Sequence, residues 1–187
     1  MKYACIAADP PWTFKTPNAA STDCPLRSVN RHYSTLSLDA IKALPVADLA
    51  ARDCALFIWT TDVQLPGALA VMTAWGFAFA TVAFHWAKTH AKSGKFVTGC
   101  GWWTRANVEI CLLGTRGSPK RLDASVKRLL IADRREHSRK PDEAYHAMQR
   151  LVGGPYLELF ARTVRPGWDQ AMSDQVDLFA VVEPREA

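Results

Sequence analysis

The stretch Ala7-Ala8-Asp9-Pro10-Pro11-Trp12 limits the fold of this chain more tightly than any other. It closes an apolar run that begins at Tyr3, and this run predicts a short buried strand. Each proline fixes its own φ, lacks an N–H donor and keeps the residue before it out of the helical region. The sequence therefore predicts a carboxylate in a stiff, extended turn at the end of a sheet strand, where open α/β sheets bind ligands.

The turn after this strand offers hydrogen-bond acceptors rather than donors. The Asp9 carboxylate and the carbonyls of Asp9 and Pro10 are followed by the flat indole of Trp12. An aromatic amine is a poor nucleophile because its lone pair is delocalised into the ring, and an acceptor on each N–H would draw that lone pair towards an electrophile. Trp12 would hold the ring of such an amine, for example a nucleic-acid base, by stacking, an interaction worth about 1–3 kcal/mol per base. The alternative is that Asp9 caps a turn and Trp12 packs in a core; the adjoining strand favours the functional interpretation.

The composition predicts an ordinary compact domain. The chain has 187 residues, of which 49% are hydrophobic, and we expect a single domain over residues 1–172 followed by a tail at residues 173–187. Neither a signal segment nor a membrane-length apolar run is visible, so we expect a soluble, cytoplasmic protein. The five cysteines show no Cys-x-x-Cys spacing, which argues against disulfides and a metal site. Cys5, Cys54 and Cys111 lie in apolar runs and are expected to pack as small hydrophobic residues.

Short apolar runs predict the strands of a sheet. The run at residues 54–59 is continuous and bounded by polar residues, which is typical of a central parallel strand covered on both faces. A helical pattern and a further strand come after it, and this succession is that of a βαβ unit. The other predicted strands lie at residues 77–88, 107–114, 129–132 and 156–160.

Three helices are predicted from capping residues and apolar spacing. Ser37 caps the first, which Pro45 ends. Gly76 stops the second, and Pro141 is expected at the first helical position of the third. The residues predicted to face inward are Ile41 and Leu44, then Leu65, Leu69, Met72 and Trp75, then Tyr145, Met148 and Val152.

Positive charge is concentrated in the middle of the chain. Residues 88–140 contain 13 Lys and Arg against 4 Asp and Glu, although the net charge of the whole chain is only +5. This predicts one face built for a polyanion, the alternative being a solvated surface that happens to be basic. Residues 89–103 are also rich in glycine and aromatic residues and predict a nucleic-acid-binding loop, the alternative being a β-hairpin whose two tryptophans close a core edge. The candidate contacts in and just after this loop are Lys92, Lys95, Trp103 and Arg105.

Residues 13–31 show no period of two or 3.6 and are predicted to form a long loop. Loops of this length are uncommon in compact domains and tend to serve as lids or binding loops. Because it lies next to Asp9 in the sequence, we expect a gate that orders when substrate arrives, with plain disorder as the alternative.

The tetrapeptide Asp9-Pro10-Pro11-Trp12 resembles the signature of the N6-adenine methyltransferases, a family that includes the eukaryotic messenger-RNA adenosine methyltransferases and many bacterial and phage DNA enzymes. The resemblance extends from the first strand to Trp168. It implies an α/β fold with a Rossmann-like S-adenosylmethionine-dependent methyltransferase sheet, helices on both faces, and the catalytic motif before the cofactor motif. Five further blocks follow in family order: His32-Tyr33-Ser34-Thr35-Leu36-Ser37, Leu56-Phe57-Ile58-Trp59-Thr60-Thr61, Arg135-Glu136-His137-Ser138-Arg139-Lys140-Pro141-Asp142-Glu143, Leu157-Glu158-Leu159-Phe160-Ala161-Arg162 and Arg165-Pro166-Gly167-Trp168.

The resemblance also implies roles for individual residues. Asp9 and the Pro10 carbonyl would hold the amino group of a flipped or single-stranded adenine, which would attack the methyl group in line, without a metal. Tyr33 would lie near the target base, unless it is a packing residue. Lys140 would bind the carboxylate of the methionine moiety, the alternative being a surface charge at a helix start. The implied catalytic residues are Asp9, Pro10, Pro11 and Trp12, and the implied cofactor-binding residues are Ala8, Asp9, Ser138, Lys140, Glu158, Phe160, Arg162, Ser173 and Asp174.

The cofactor expected here carries no phosphate. Neither a Gly-x-Gly-x-x-Gly fingerprint nor a glycine-lysine phosphate motif occurs, which disfavours dinucleotides and nucleoside triphosphates and is compatible with S-adenosylmethionine. Glu158, near the end of a predicted strand, suits hydrogen bonds from the ribose or amine of a nucleoside-like cofactor. Two departures from the family pattern bear on this site. The usual Gly-Asn pair after the late tryptophan is absent from the stretch Asp169-Gln170-Ala171-Met172-Ser173-Asp174-Gln175, and its place is open between Ser173, Asp174 and Gln175. Only eight residues precede Asp9, so we expect modest cofactor affinity or dependence on a partner.

The resemblance leaves the substrate open between related alternatives. We expect a DNA adenine methyltransferase, by analogy with the small bacterial and phage members, and an RNA adenine methyltransferase is the alternative within the enzyme class. From a different class, the chain would be a catalytically silent nucleic-acid-binding homologue that supports an active partner, and the intact signature at Asp9 argues against it. The expected assembly is a monomer or a homodimer, with a protein partner as a further option.

Overall fold

The structure, a computed structural model, describes residues 1–13, 35–99, 103–135 and 139–172. Within these ranges one sheet of seven strands is flanked by four helices. The strands are β1 (Tyr3–Ala8), β2 (Ala50–Thr60), β3 (Ala78–Thr89), β4 (Val108–Arg116), β5 (Leu129–Asp133), β6 (Tyr156–Leu159) and β7 (Trp168–Ala171). The helices are α1 (Leu38–Lys42), α2 (Val46–Leu49), α3 (Leu65–Ala74) and α4 (Asp142–Leu151).

The order of the strands across the sheet is β5-β3-β4-β2-β1-β6-β7. Strand β4 runs antiparallel to β2 and β3, whereas all the other neighbours in the sheet are parallel. The carboxyl ends of six strands and the amino end of β4 therefore meet at one edge, which we call the carboxyl edge. The opposite edge, where β4 ends, is called the amino edge. This arrangement brings residues from both ends of the chain to the carboxyl edge.

The helices cover both faces of the sheet. On one face, Ile6 and Ile58 pack with apolar residues of α1, α2 and α3. On the other face, Ala7 and Phe57 pack with apolar residues of α4. Successive strand residues point to opposite faces, so a strand segment covered on both sides must be apolar at every position, as residues 54–59 of β2 are. The α/β, Rossmann-like fold with helices on both faces is thus confirmed. None of the helices in the described ranges has the length and hydropathy needed to cross a bilayer.

The predicted starts of α1 and α4 and the predicted end of α3 are confirmed to within a residue. Helix α1 ends at Lys42, however, and Pro45, which was expected to end it, is instead the N-cap of α2. The Ser37 hydroxyl accepts a hydrogen bond from the Ala40 N–H at 3.2 Å and so caps α1. Gly76, with φ +81°, follows the end of α3 in the left-handed region that glycine tolerates. Pro141 lies at the N-cap of α4 and not at its first helical position, because its ψ of 139° is extended. Proline fixes only φ, which suits both positions.

Two short elements were not predicted. Helix α2 has four residues, and strand β7 has four residues that include the polar Asp169 and Gln170. Neither is long enough to show a periodic pattern. Strand β7 is nevertheless well placed, because it pairs in parallel with β6 and completes that side of the sheet.

The three cysteines in the strands are packed as expected. Cys5, Cys54 and Cys111 are buried and free. Burial raises the pKa of the Cys54 thiol to about 12 and raises the pKa of Cys5 and Cys111 above the ordinary thiol value. These thiols therefore stay protonated and behave as small hydrophobic side chains.

Candidate active site

The carboxylate of Asp9 lies at the centre of the carboxyl edge. It follows β1, whose last residue, Ala8, pairs with Ile58 of β2 and Leu159 of β6. The Asp9 Oδ2 atom accepts a hydrogen bond from the Lys140 Nζ at 2.7 Å, and the two side chains are 19% and 7% exposed. Lys140 is therefore not a surface charge at a helix start, which was the alternative left open by the sequence. It is a buried ammonium on the proposed catalytic carboxylate.

Asp9 and Lys140 belong to a row of four alternating charges. The Lys140 Nζ is also 3.3 Å from Glu109 Oε2, and Glu109 Oε1 pairs with the Lys88 ammonium. Burial works to raise the pKa of Glu109, but the ammonium groups of Lys140 and Lys88 outweigh it and lower that pKa. Burial works to lower the pKa of Lys140, but Asp9 and Glu109 outweigh it and raise that pKa. Lys140 and Glu109 are thus both charged at neutral pH. We call these four residues the charge row.

Glu109 and Lys88 were not among the predicted site residues. Glu109 lies near the start of β4, inside a run that was predicted as a strand because it is apolar, and Lys88 lies near the end of β3. A lone carboxylate in a buried strand is a usable signal, because a buried charge must be paired. Its partner could not be identified, since the pairing depends on β4 entering the carboxyl edge in the antiparallel direction.

The carbonyl groups of the two prolines already accept hydrogen bonds within the chain. The Pro10 carbonyl accepts from the Trp12 N–H at 2.8 Å, and the Pro11 carbonyl accepts from the Leu36 N–H at 3.0 Å. The expectation that acceptors dominate this turn is corrected by Lys140, a donor supplied from 131 residues away.

The indole of Trp12 packs in the core. It is 6% exposed, and its Nε1 donates to the Trp59 carbonyl at 3.0 Å. The structure therefore places Trp12 in the packing role that the sequence left as the alternative. Stacking of Trp12 on a base stays a prediction, and this burial argues against it.

Glu158, predicted to contact the cofactor, is part of a buried polar network. Its Oε1 accepts from the Tyr145 hydroxyl at 2.6 Å and its Oε2 accepts from the Arg165 Nε at 3.1 Å. Burial raises the pKa of Glu158 in spite of the opposing effects of Tyr145 and Arg165. A cofactor contact at Glu158 stays a prediction, and any such contact would share the carboxylate with these two donors. Arg165 was not among the predicted site residues.

Two residues that directly follow β6 and β7 have unusual backbone conformations. Phe160, directly after β6, has φ +61°, and Met172, directly after β7, has φ +58°. The Phe160 N–H donates to the Ala171 carbonyl at 3.0 Å. Left-handed φ values are costly for residues other than glycine and tend to occur at ligand sites. Phe160 was a predicted cofactor residue, and its conformation supports that prediction. Arg162, also predicted there, is half-buried.

Several predicted site residues lie outside the described ranges. They are Tyr33, Ser138, Ser173 and Asp174, together with nearly all of the predicted gate and the whole of the predicted tail. Their roles stay predictions.

The predicted nucleic-acid loop lies at the carboxyl edge, because it follows the end of β3. Lys92, Lys95 and Arg105 are exposed. Trp103 is 94% exposed and Phe96 is 56% exposed. The alternative was a hairpin whose two tryptophans close a core edge. Trp103 does not do this, because its side chain is exposed to solvent. The arrangement of exposed cations and rings is the one that contacts phosphates and unpaired bases.

The basic segment does not form one face, contrary to the expectation from its charge. Because β4 is antiparallel, the loop that follows it lies at the amino edge. The nine residues of β4 separate the two edges by about 30 Å. The exposed basic residues of the loop between β4 and β5 are Lys120, Arg121, Lys127 and Arg128.

Comparison with known proteins shows that this chain is similar to methyltransferases. Residues 3–172 match the MT-A70 family. The Type II methyltransferase M.MunI of Mycoplasma sp is 33% identical over 90% of this chain and 76% of its own length. The N(6)-adenosine-methyltransferase MT-A70-like protein of Drosophila melanogaster is 30% identical over 98% of this chain and 28% of its own. The N(6)-adenosine-methyltransferase catalytic subunit METTL3 of Homo sapiens is 29% identical over 98% of this chain and 30% of its own. The chain thus spans about three quarters of the first relative and under a third of the other two.

Proposed function

The chain belongs to the MT-A70 family of adenine methyltransferases, which use S-adenosylmethionine, and we propose that the adenine it methylates lies in DNA. The observation that carries the proposed mechanism is the Asp9 carboxylate, held by Lys140 directly after the end of β1, whose neighbours are β2 and β6. The chain runs from β1 towards β2 on one side and from β6 towards β7 on the other, so the crevice at the ends of β1 and β6 is the topological switch point of the sheet. Open α/β sheets bind their ligands at this point.

The residues at this crevice suit S-adenosylmethionine. The ammonium of Lys140 matches the carboxylate of its methionine moiety, and the bends at Phe160 and Met172 shape the ends of the two strands on that side. The sequence contains no phosphate-binding glycine motif, and this cofactor needs none. When bound, S-adenosylmethionine supplies an electrophilic methyl group on a sulfonium.

The proposed chemistry places the adenine amino group between two acceptors of the chain. One N–H donates to the Asp9 carboxylate and the other to the Pro10 carbonyl. This carbonyl already accepts a hydrogen bond from the Trp12 N–H, and its second lone pair is available for the adenine. Held in this way, the amino nitrogen would direct its lone pair at the methyl group that bound S-adenosylmethionine would supply, and the electron pair of the broken methyl–sulfur bond would stay with sulfur. The extra proton on the nitrogen leaves towards Asp9. Lys140 fixes the orientation of Asp9 and balances its charge in this largely buried site.

DNA is favoured over RNA as the substrate by how much of each relative the chain matches. It spans 76% of the Type II methyltransferase, but only 28% and 30% of the two N(6)-adenosine-methyltransferases. The names of the latter keep RNA as the second candidate. A silent nucleic-acid-binding homologue is the third, and the intact Asp9–Lys140 pair argues against it.

The proposed function is tested by methyl transfer from labelled S-adenosylmethionine to matched DNA and RNA, each single- and double-stranded, with the product nucleosides identified by mass. We expect N6-methyladenine in DNA alone. Label in RNA alone would replace our proposal by the second candidate. Nucleic-acid binding without any transfer would replace it by the third.

The loop after β3 gives a prediction about substrate binding. Reversing the charge of Lys92 and Lys95 should weaken nucleic-acid binding and lower the slope of log K against log salt by about 1 for each phosphate that is no longer bound. Binding is measured by fluorescence anisotropy over a range of salt concentrations. The matched control reverses Lys120 and Arg121, two exposed cations at the amino edge, and should leave the slope closer to that of the unmodified protein. An equal effect of both double variants would mean that the loop is not the binding surface.

A further inference from the structure

We propose that Arg165 is a positioning residue for methyl transfer, which holds the backbone at Lys140 and so keeps the Lys140 ammonium on Asp9. The proposal rests on the proposed function of this site. Arg165 lies in the connection between β6 and β7, yet it is only 7% exposed. A buried guanidinium is costly unless it is paired on all sides. Its contacts therefore indicate what it holds in place.

The guanidinium of Arg165 joins three parts of the chain. Its Nε donates to Glu158 Oε2 of β6 at 3.1 Å, and its NH1 group pairs with Oδ1 of Asp142 in the first turn of α4. Its NH2 group donates to the Lys140 carbonyl at 3.3 Å. The guanidinium carbon lies 3.8 Å from the centre of the Tyr145 ring. Only the planar fork of an arginine makes these contacts together, because the single ammonium of a lysine lacks that geometry.

The backbone of Lys140 is held from two directions. Lys140 precedes Pro141, the N-cap of α4, and a residue before proline is confined to the extended region. Its carbonyl is held by Arg165, while its ammonium reaches Asp9 Oδ2 at 2.7 Å. The Lys140 side chain is 7% exposed, so it has little room to compensate for a shift of its backbone. Such a shift would carry the ammonium away from Asp9.

Arg165 also binds Glu158 on β6, the strand next to β1, and β1 is the strand that leads into Asp9. Strands β6 and β1 are parallel neighbours, with Glu158 opposite Ala7. Arg165 therefore ties the Lys140 backbone to the strand adjacent to the one that carries Asp9. The separation between Lys140 and Asp9 is set through this link, and the packing of Tyr145 beneath the guanidinium keeps the link rigid.

The test replaces Arg165 by lysine, which keeps the positive charge and loses the fork. We expect Arg165→Lys to lower kcat about 100-fold at saturating substrates, since a misplacement of the order of 1 Å has that effect. We also expect an amine-reactive reagent to label Lys140 about tenfold faster, as read by mass spectrometry, because the local structure that protects it is loosened. The label is a readout that does not depend on activity.

The matched control is Val71→Ala, which removes buried volume from the opposite face of the sheet. Both variants lose thermal stability and are compared at a temperature at which circular dichroism shows them folded. Val71→Ala should keep its kcat and its protected Lys140. Unchanged labelling of Lys140 in Arg165→Lys, or the same loss of kcat in both variants, would overturn the proposal. If the unmodified protein transfers no methyl group, the proposed function fails, and the labelling still decides the role of Arg165.

Discussion

Replacing Asp9 by alanine is expected to lower methyl transfer at least about 1000-fold, the size of effect known for groups that act directly on the reacting atoms. Asp9 is the charged acceptor at the switch point of the sheet, and nothing else in the charge row replaces it there. The fold should survive the change, because Lys140 keeps Glu109 as a partner at 3.3 Å and is not left as an unpaired buried charge. The measurement is kcat with labelled S-adenosylmethionine, alongside the thermal unfolding transition.

The control for this change is Asp9→Asn, which keeps the shape of the side chain and one acceptor oxygen but loses its charge. We expect activity between that of Asp9→Ala and that of the unmodified protein. Full activity of Asp9→Ala would remove Asp9 from the mechanism. Loss of the unfolding transition in Asp9→Ala but not in Asp9→Asn would instead make Asp9 a structural residue.

The second large effect is expected from Lys140→Met. The change leaves Asp9 without its ammonium, and breaking a buried ion pair in this way costs about 3–5 kcal/mol of unfolding free energy. We expect kcat to fall about 100-fold, because Asp9 loses the group that orients it. If Lys140 also holds the carboxylate of the methionine moiety, the Kd for S-adenosylmethionine should rise more than the Kd for DNA. Calorimetry and fluorescence anisotropy measure the two constants.

A matched control for Lys140 is Lys42→Met. Lys42 pairs with Asp39 at 3.3 Å, but the two side chains are 37% and 91% exposed, and exposed pairs contribute at most about 1 kcal/mol. Lys42→Met should therefore change neither kcat nor stability appreciably. A larger loss of DNA affinity than of cofactor affinity in Lys140→Met would move Lys140 from the cofactor site to a phosphate contact.

Local sequence patterns predict the position of Asp9 but not the residues that pair with it. The position of Asp9 at the end of β1 follows from a short apolar run and two prolines, and the structure agrees. Lys140 was predicted to bind the cofactor, and that role stays a prediction, but its partner in the structure is Asp9, 131 residues away. Glu109 and Arg165 were missed for the same reason. A buried charge in a sequence reveals that a partner must exist, but not which one, because the partner is set by the packing of distant elements.

The positions of the basic residues in space also could not be predicted from local sequence patterns. The sequence showed that residues 88–140 are strongly basic, but it carried no sign of the direction of β4. An antiparallel β4 sends the loop at residues 117–128 to the amino edge, about 30 Å along β4 from the carboxyl edge. Only part of the basic segment is therefore available to a nucleic acid bound at the site.

The sequence by itself determined the α/β class, the main strands and helices, and the turn that carries Asp9, because these depend on apolar periodicity, capping residues and proline, which act over a few neighbouring residues. The tertiary structure alone decided the direction of β4, the existence of β7 and the pairing in the charge row. It also placed Trp12 in the core and Arg165 behind Lys140. These features depend on contacts between residues far apart in the chain, and such contacts are chosen by the burial and pairing of the whole fold.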